Sequence, residues 1–499
     1  MSTFQMAAGT PRSIDSHPAP FEGAIEKLAA VPDIERALAA AARLPHCIFF
    51  DSARQQDDLG RYSFLAADPF DFVSRSVDEA VVAAAAGEDV FNNLAVRTQS
   101  YATETIDGLP PFQGGLAGLF GYDLNRTLER VAAPQYDEFA VPALAVGLYD
   151  VALIIDHAEQ NAWIISQGWP LTEPARRRER ARERLERFKA IVLAETTLPS
   201  ALLLADKPAA DLSVPPESIA RQFPALAGTD LTSNFSLRDY LRMVERAIEY
   251  IYAGDVFQVN LAQRLLHPAR DDSLSLYLRM RRRNPATFAA YFDLGEFQIM
   301  SASPERFLKV ADRQVEARPI KGTRRRSSWP EADLFAGDDL LQSEKDRAEN
   351  VMIVDLLRND LSRVCRPDSV AVSDLCRLEV YEFVQHLVSV VRGELRPQCS
   401  SFDLLAAAFP GGSVTGAPKV RAMEIIAELE PTARGPYCGC LGYIGFDGTM
   451  DTNILIRTIT AGRGWWQFPV GGGIVAQSDP EREYEETWHK AEGLLRALV

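Results

Sequence analysis

The stretch 451–491, DTNILIRTITAGRGWWQFPVGGGIVAQSDPEREYEETWHKA, decides how the remainder of the chain is read. Its first half carries two apolar, loosely alternating runs and predicts strands over 451–460 and 465–476. The second run enters three consecutive glycines, Gly471, Gly472 and Gly473, where bare backbone N–H groups can approach a neighbour closely. Asp479-Pro480 then supplies an N-cap and a first helical residue, predicting a helix over 480–498. On that helix Glu483, Glu486 and Lys490 share one face. Strands that feed an acidic helix through a glycine turn do not read as the β-α-β unit of a Rossmann fold or barrel.

Outward from this stretch the same mixture continues. Strands are predicted at 255–266, 286–300, 305–318, 378–392 and 440–446, and helices at 338–358, 401–408 and 418–429. Ser236, with Asp239 three residues on, starts a helix whose apolar face is Leu237, Tyr240, Leu241, Val244, Ile248 and Ile251, and Gly254 is placed to stop it. Residues 21–170 are strand-rich. Residues 173–195 interleave Arg and Glu as a solvated helix does, and 198–234 lack periodicity and read as a linker or surface excursion. With no repeat and no βαβ rhythm, the pattern implies α+β layers built on large sheets.

The 499 residues carry 69 acidic and 53 basic side chains, a net charge of −16. Such a chain has no global field for nucleic acid or anionic lipid, so neither is an expected partner. An anionic small substrate must instead meet a local cluster of cations, metal or backbone N–H groups. No apolar run reaches the ~18–20 residues of a membrane span. The first twenty residues, MSTFQMAAGTPRSIDSHPAP, lack the basic and apolar regions of a signal peptide and read as a polar tail. The six cysteines are scattered and form no disulfide framework; Cys438 and Cys440 read as small residues on one strand. A cytoplasmic enzyme is expected.

Four constellations could carry chemistry. Asp346 and Glu349 share a face of a second acidic helix, so two helices could offer carboxylates to one Mg²⁺, or could present wet surface faces. The glycine run suits an anion cradle and a tight turn equally. In RPIKGTRRR (318–326), Lys321 stands at the lip of a glycine turn, either as a surface lysine or as a desolvated nucleophile. His386 shares a strand face with Val384, Val388 and Val390; Glu305 stands at a strand entry; Tyr437 and Arg457 flank a strand pair. An arginine at the end of the apolar strand NILIRT needs an anion or a carboxylate.

Together these segments resemble the chorismate-utilising family, which comprises anthranilate synthase component I, aminodeoxychorismate synthase component I and the isochorismate and salicylate synthases. The resemblance rests on FFDSA (49–53), PPFQGGLAGLFGYD (110–123), GDVFQVNLAQR (254–264), SASPERF (301–307), PIKGTRRR (319–326), AENVMIVDLLRND (348–360), GGSVTGAPKVRAMEII (411–426), RGPYCGCLGYIGFDG (434–448) and the stretch 471–491. It implies two large mixed or antiparallel β-sheets packed as a sandwich with flanking helices. It also implies a polar tail over 1–20, an N-terminal region over 21–170, a charged helix and linker over 171–235, and a chorismate-binding catalytic region over 236–499.

Within the family, Gln258 stands where the water-using synthases carry a lysine base, so the resemblance sides with the ammonia-using enzymes. PIKGT and GGG lean towards the aminodeoxychorismate synthase branch; anthranilate synthases usually read PIAGT and GAG. The implied chemistry joins chorismate and ammonia into 4-amino-4-deoxychorismate, with Lys321 as covalent nucleophile, Glu305 as general acid and His386 in an orienting or proton-handling role. Mg²⁺ is implied between Glu349 and Glu486. Gly322, Thr323, Tyr437, Arg457, Gly471, Gly472, Gly473, Lys490 and Gln258 are implied to bind substrate, and Ser52, Asn284 and Pro285 to line a possible tryptophan pocket. No amidotransferase nucleophile motif is recognisable, which implies ammonia from solution or from a separate class I glutamine amidotransferase subunit. Anthranilate synthase component I and a non-catalytic chorismate- or tryptophan-binding regulatory subunit are the alternatives. Arg325, Asn350 and His489 depart from the usual family residues, and none is a group the chemistry needs.

Overall fold

The computed structural model describes residues 18–54, 59–194, 214–326, 329–380 and 384–498. Most of the polar tail, and 198–213 of the expected linker, therefore lie outside the described residues. Two sheets dominate. The first has 13 strands, with Ile48–Asp51, Phe288–Asp293, Phe297–Ser303, Thr458–Gly462, Trp465–Ile474 and Gln258–Pro268 as consecutive neighbours at its centre. The second has 10 strands and runs from Ile320–Arg325 through Val384–Glu394, Gln314–Ala317, Arg306–Ala311, Met450–Ile454 and Cys440–Gly445 to Gly115–Phe120, Leu144–Tyr149 and Asp71–Arg75. Every described ladder within them is antiparallel. Strands from residues 21–170 and from beyond 236 enter both sheets.

Alternation along the strands builds the layers. On Phe288–Asp293, Ala290 and Phe292 pack between the sheets against Leu119, Leu441 and Tyr443. Ala289 and Tyr291, one residue out of phase, face helices instead and pack with Leu276, Tyr277, Ala491 and Leu494. The period-two rule thus gives each sheet one face towards its partner sheet and one towards helices, the sandwich with flanking helices that the resemblance implied. Glu344–Ser362 packs on Val384–Glu394 and Ile320–Arg325 of the second sheet, whereas Lys419–Leu429 packs on Gln258–Pro268 of the first.

Several predicted elements are divided. The 305–318 strand is a hairpin turning at Asp312 and Arg313, both at positive φ (48° and 62°). The 286–300 strand turns at Gly295, and 451–460 breaks at Arg457. The 338–358 helix is two helices, because Ser343 takes an extended conformation and its side chain caps Glu344–Ser362 by accepting from Asp346 N–H. Cys438 is not on a strand; it sits in a turn at φ 65°, and only Cys440 opens a strand. Part of the expected surface excursion, Phe223–Pro224 and Thr232–Ser233, pairs onto the edge of the first sheet. The expected caps at Ser236 and Asp479 are present.

Candidate active site

The site forms where the chain crosses between the sheets. It leaves the first sheet at Ser303 and enters the second at Arg306; it leaves the second at Ile454 and returns at Thr458. Glu305 and Arg457 occupy these two crossovers. Ser303 Oγ donates to Ile454 O (2.6 Å), Ile454 N–H donates to Glu305 O (3.1 Å) and Ala302 N–H donates to Arg457 O (3.0 Å). Arg457 has φ 53°, a left-handed conformation that a bulky side chain keeps only when its surroundings enforce it.

Glu305 is 5% exposed and its Oε1 accepts from Ser413 Oγ at 2.9 Å. Burial pushes its carboxyl up to about 7, against the opposing pull of Lys321, Ser413, the Ile320 N–H and Arg457. Lys321 Nζ donates to Ser413 O at 3.0 Å. One serine thus holds the amine by its carbonyl and the carboxyl by its hydroxyl. The strand Ile320–Arg325 slips register between Lys321 and Thr323, at Gly322 with φ 73°. A Cβ on Gly322 would stand 2.7 Å from Leu340 Cδ1 and 3.0 Å from Asp346 Cγ, so only glycine lets this loop press onto the helices beside it. Thr323 pairs across the ladder with His386. Burial pulls the His386 imidazole down to about 4 despite its hydrogen bond to the Gly322 backbone. At neutral pH it is uncharged, which suits orientation and not proton donation as an imidazolium.

The second half of the site is a set of alternating charges. Lys345 Nζ lies 3.9 Å from Glu349 Oε1 and 3.5 Å from Glu483 Oε1. Lys490 Nζ lies 2.5 Å from Glu486 Oε1 and donates to Gly471 O at 2.8 Å. Burial raises the carboxyls of Glu349 and Glu483, and their mutual repulsion or that of neighbouring acids adds to it. Burial also opposes charge on Glu486, but Lys490, Lys345 and Lys321 together hold its carboxyl below the ordinary range. Burial lowers the Lys490 ammonium and the Arg457 guanidinium, each offset in part by nearby anions or phenol. A Cβ on Gly472 would lie 3.3 Å from Lys490 Nζ, 3.4 Å from Glu483 Oε2 and 3.5 Å from Glu486 Oε1. One on Gly473 would collide at 2.5 Å with Gln258 Nε2. Gln258 is fully buried, and neither amide atom has a partner among the described residues. Tyr437 is buried, its ring 5.8 Å from the Arg434 guanidinium.

Lys321, Lys345, Lys490 and Arg457 therefore gather in a protein whose net charge is −16. Four carboxylates, Glu305, Glu349, Glu483 and Glu486, stand among these four cations, so a small dianion must be met by individual lysine and arginine contacts and not by a net positive site. Lys345 and Ser413 were not anticipated from sequence; Ser413 lies inside the quoted GGSVTG run, but nothing local distinguishes it from any turn serine. Glu483 was placed on the right face without a role. Ser52 and Asn284 are engaged elsewhere: Ser52 Oγ donates to Tyr62 O at 2.6 Å, and Asn284 follows the helix Ser273–Arg283 and packs on Gly493. Pro285 adjoins Ala286, whose carbonyl accepts from Arg54 N–H at 3.2 Å, so the segments carrying Ser52 and Pro285 are neighbours.

A profile of chorismate binding enzymes matches residues 45–496. The chain belongs to this family. Aminodeoxychorismate synthase component 1 of Klebsiella aerogenes is 42% identical over 388 residues, 78% of each chain. That of Salmonella typhimurium is 38% identical over 470 residues, 93% of this chain and 95% of its own. Anthranilate synthase component 1 of Thermus thermophilus is 41% identical over 390 residues, 78% of each chain. The crystal structure of anthranilate synthase component I from Streptococcus pneumoniae superposes with a TM-score of 0.70 at 29% identity, covering 87% of this chain and 92% of that one. The family expected from the motifs is thus the family found. Among the described residues no helix is long and apolar enough to cross a membrane.

As a chorismate-binding enzyme, the chain should depend on the open space beside Gly472. Gly472→Ala places a methyl at contact distance from two carboxylates and an ammonium without forcing a backbone clash. The protein should fold with an unchanged melting temperature, while the KM for chorismate rises about tenfold, the size of a ~1.4 kcal/mol loss of binding. Steady-state kinetics beside a thermal melt checks this.

Proposed function

We propose that this chain is the chorismate-converting component of an aminodeoxychorismate synthase, making 4-amino-4-deoxychorismate from chorismate and ammonia. The observation that carries the reading is Lys321, whose amine is fixed 3.0 Å from Ser413 O while the same serine holds the Glu305 carboxyl. Lys321 Nζ attacks ring carbon C2, the diene electron pairs shift, and the C4 hydroxyl departs. Glu305, with its carboxyl pushed up to about 7, retains a proton near neutrality and gives it to that hydroxyl, which leaves as water. Ammonia then attacks C4 and expels the lysine. His386 orients the Gly322 turn in its neutral form.

The substrate's two carboxylates divide between two ends. Arg457, Tyr437 and the N–H groups of Gly471, Gly472 and Gly473 take the enolpyruvyl carboxylate. Glu349 and Glu486 would hold Mg²⁺, with Lys490 balancing charge. Both offer hard carboxylate oxygens, that of Glu486 beside the bare Gly472, which suit that ion, although among the described residues no group of three or more acidic, His or Cys side chains stands at ligand separation. When bound, Mg²⁺ supplies positive charge to the ring carboxylate. Gly322, Thr323 and Gln258 line the ring. The ammonia source is a separate class I glutamine amidotransferase subunit, in the cytoplasm, on the route to 4-aminobenzoate and folate.

The 41% identity to an anthranilate synthase gives the second reading its support: attack of ammonia at C2 instead, followed by loss of pyruvate from 2-amino-2-deoxyisochorismate, would yield anthranilate. Mass identification of the product from chorismate, ammonia and Mg²⁺ separates the two. The 4-amino product is expected, and anthranilate would overturn the assignment. Glutamine should replace ammonia only after an amidotransferase subunit is added; glutaminase activity from the purified chain alone would refute the separate-subunit reading.

A further inference from the structure

The turn Gly412–Val414 is held from every side. Arg434 Nη1 donates to Val414 O (3.1 Å), Thr415 Oγ1 donates to Gly411 O (3.0 Å) and Asn260 N–H donates to Thr415 O (2.8 Å). Arg434 is itself locked to Glu430 by contacts of 2.8 Å and 2.6 Å. A Cβ on Gly412 would stand 2.3 Å from Leu356 Cδ2, so the turn seats closely against the helix that carries Glu349. At its centre Ser413 is 7% exposed and touches both reacting groups.

We propose that Ser413 is a positioning residue which fixes where the acid proton of Glu305 sits while it aims the Lys321 amine. The inference rests on the reaction proposed above. Ser413 Oγ donates to Glu305 Oε1, so that oxygen is occupied as an acceptor and the carboxyl proton resides on Oε2. From Oε2 it passes to the leaving C4 hydroxyl: the O–H bond of the acid breaks, water forms, and Glu305 is left as a carboxylate that the hydroxyl then stabilises. Meanwhile one N–H of Lys321 points to Ser413 O, which turns the lone pair away from that carbonyl. The lone pair forms the bond to C2, and the proton the amine then sheds returns to the Glu305 carboxylate held by the same serine. The carbonyl is backbone, so it survives substitution of the side chain, and the two roles can be separated.

Ser413→Ala removes only the hydroxyl. With ammonia saturating, kcat should fall about 10- to 100-fold, part of the 10²–10⁴ that a general acid contributes, while KM for chorismate moves less than about twofold. The pH profile supplies the readout that a merely structural role would not move. Glu305 faces Lys321 and the Ile320 N–H from one strand, Arg457 from the second crossover and Cys438 from the adjoining turn, and none of these is altered. Hydroxyl donation favours the carboxylate, so its loss raises the Glu305 carboxyl. The acid must be protonated to act, so the alkaline limb of kcat/KM should shift to higher pH. Ser413→Thr, which keeps the hydroxyl, should keep the wild-type limb. An undiminished kcat in Ser413→Ala, or a reduced one with the limb unmoved, overturns the inference. Product identity is a separate measurement: a wild type that makes anthranilate overturns the functional reading, whereas an unmoved limb in Ser413→Ala overturns this inference with that reading intact.

Discussion

Lys321→Ala should cut formation of 4-amino-4-deoxychorismate by about a thousandfold or more, because a covalent route loses its nucleophile outright. The variant should fold. Lys321 donates its one described hydrogen bond to a backbone carbonyl, and the position lies on a strand that accepts alanine. What remains at the site favours a different product. Glu305, Glu349, Glu486 and Arg457 are untouched, so ammonia could reach C2 directly and give 2-amino-2-deoxyisochorismate or, after loss of pyruvate, anthranilate. Mass spectrometry of products from wild type and variant checks this. A variant that makes the 4-amino product at the wild-type rate would show Lys321 to be a bystander.

The second large effect is expected from the carboxylates. Glu349→Gln or Glu486→Gln should each lower turnover about 100-fold or more, since several kcal/mol of charge stabilisation at the ring carboxylate would go with the ion. Neither change should unfold the protein. Burial already disfavours charge at Glu349, so its neutral isostere is tolerated there, and the Glu486 side chain is 49% exposed. Mg²⁺ should raise the melting temperature of the wild type and should fail to do so for either variant. Near-normal activity of either variant in the presence of a chelator would dispose of the metal assignment. The structure adds a local consequence: Lys345 stands between Glu349 and Glu483, so an arriving cation must share or displace its ammonium.

The chain's local signals mark where many of its elements lie, though not where several of them divide. The caps at Ser236 and Asp479, the acidic face of Pro480–Leu495 and the two strands flanking Arg463 and Gly464 follow from spacing of two, three and four residues, which any window of sequence exposes. Lys321, Glu305, Glu349, Glu486 and Arg457 were named by motif alone. What the sequence could not give was their meeting. Glu305 and Arg457 are 152 residues apart (457 less 305), and they face one site because the chain changes sheets at both places. Ladder pairs such as Arg306 with Asn453 decide that, and pairing between distant strands leaves no periodic trace in either. The same holds for the division of 305–318 at Asp312, where two non-glycine residues at positive φ are stabilised by the hairpin they close. It holds for Ser413, whose importance comes from Lys321 and Glu305 arriving on either side of it. Side-chain chemistry is a property of residues, and the sequence determined it; coincidence in space is a property of long-range packing, and only the tertiary structure decided it.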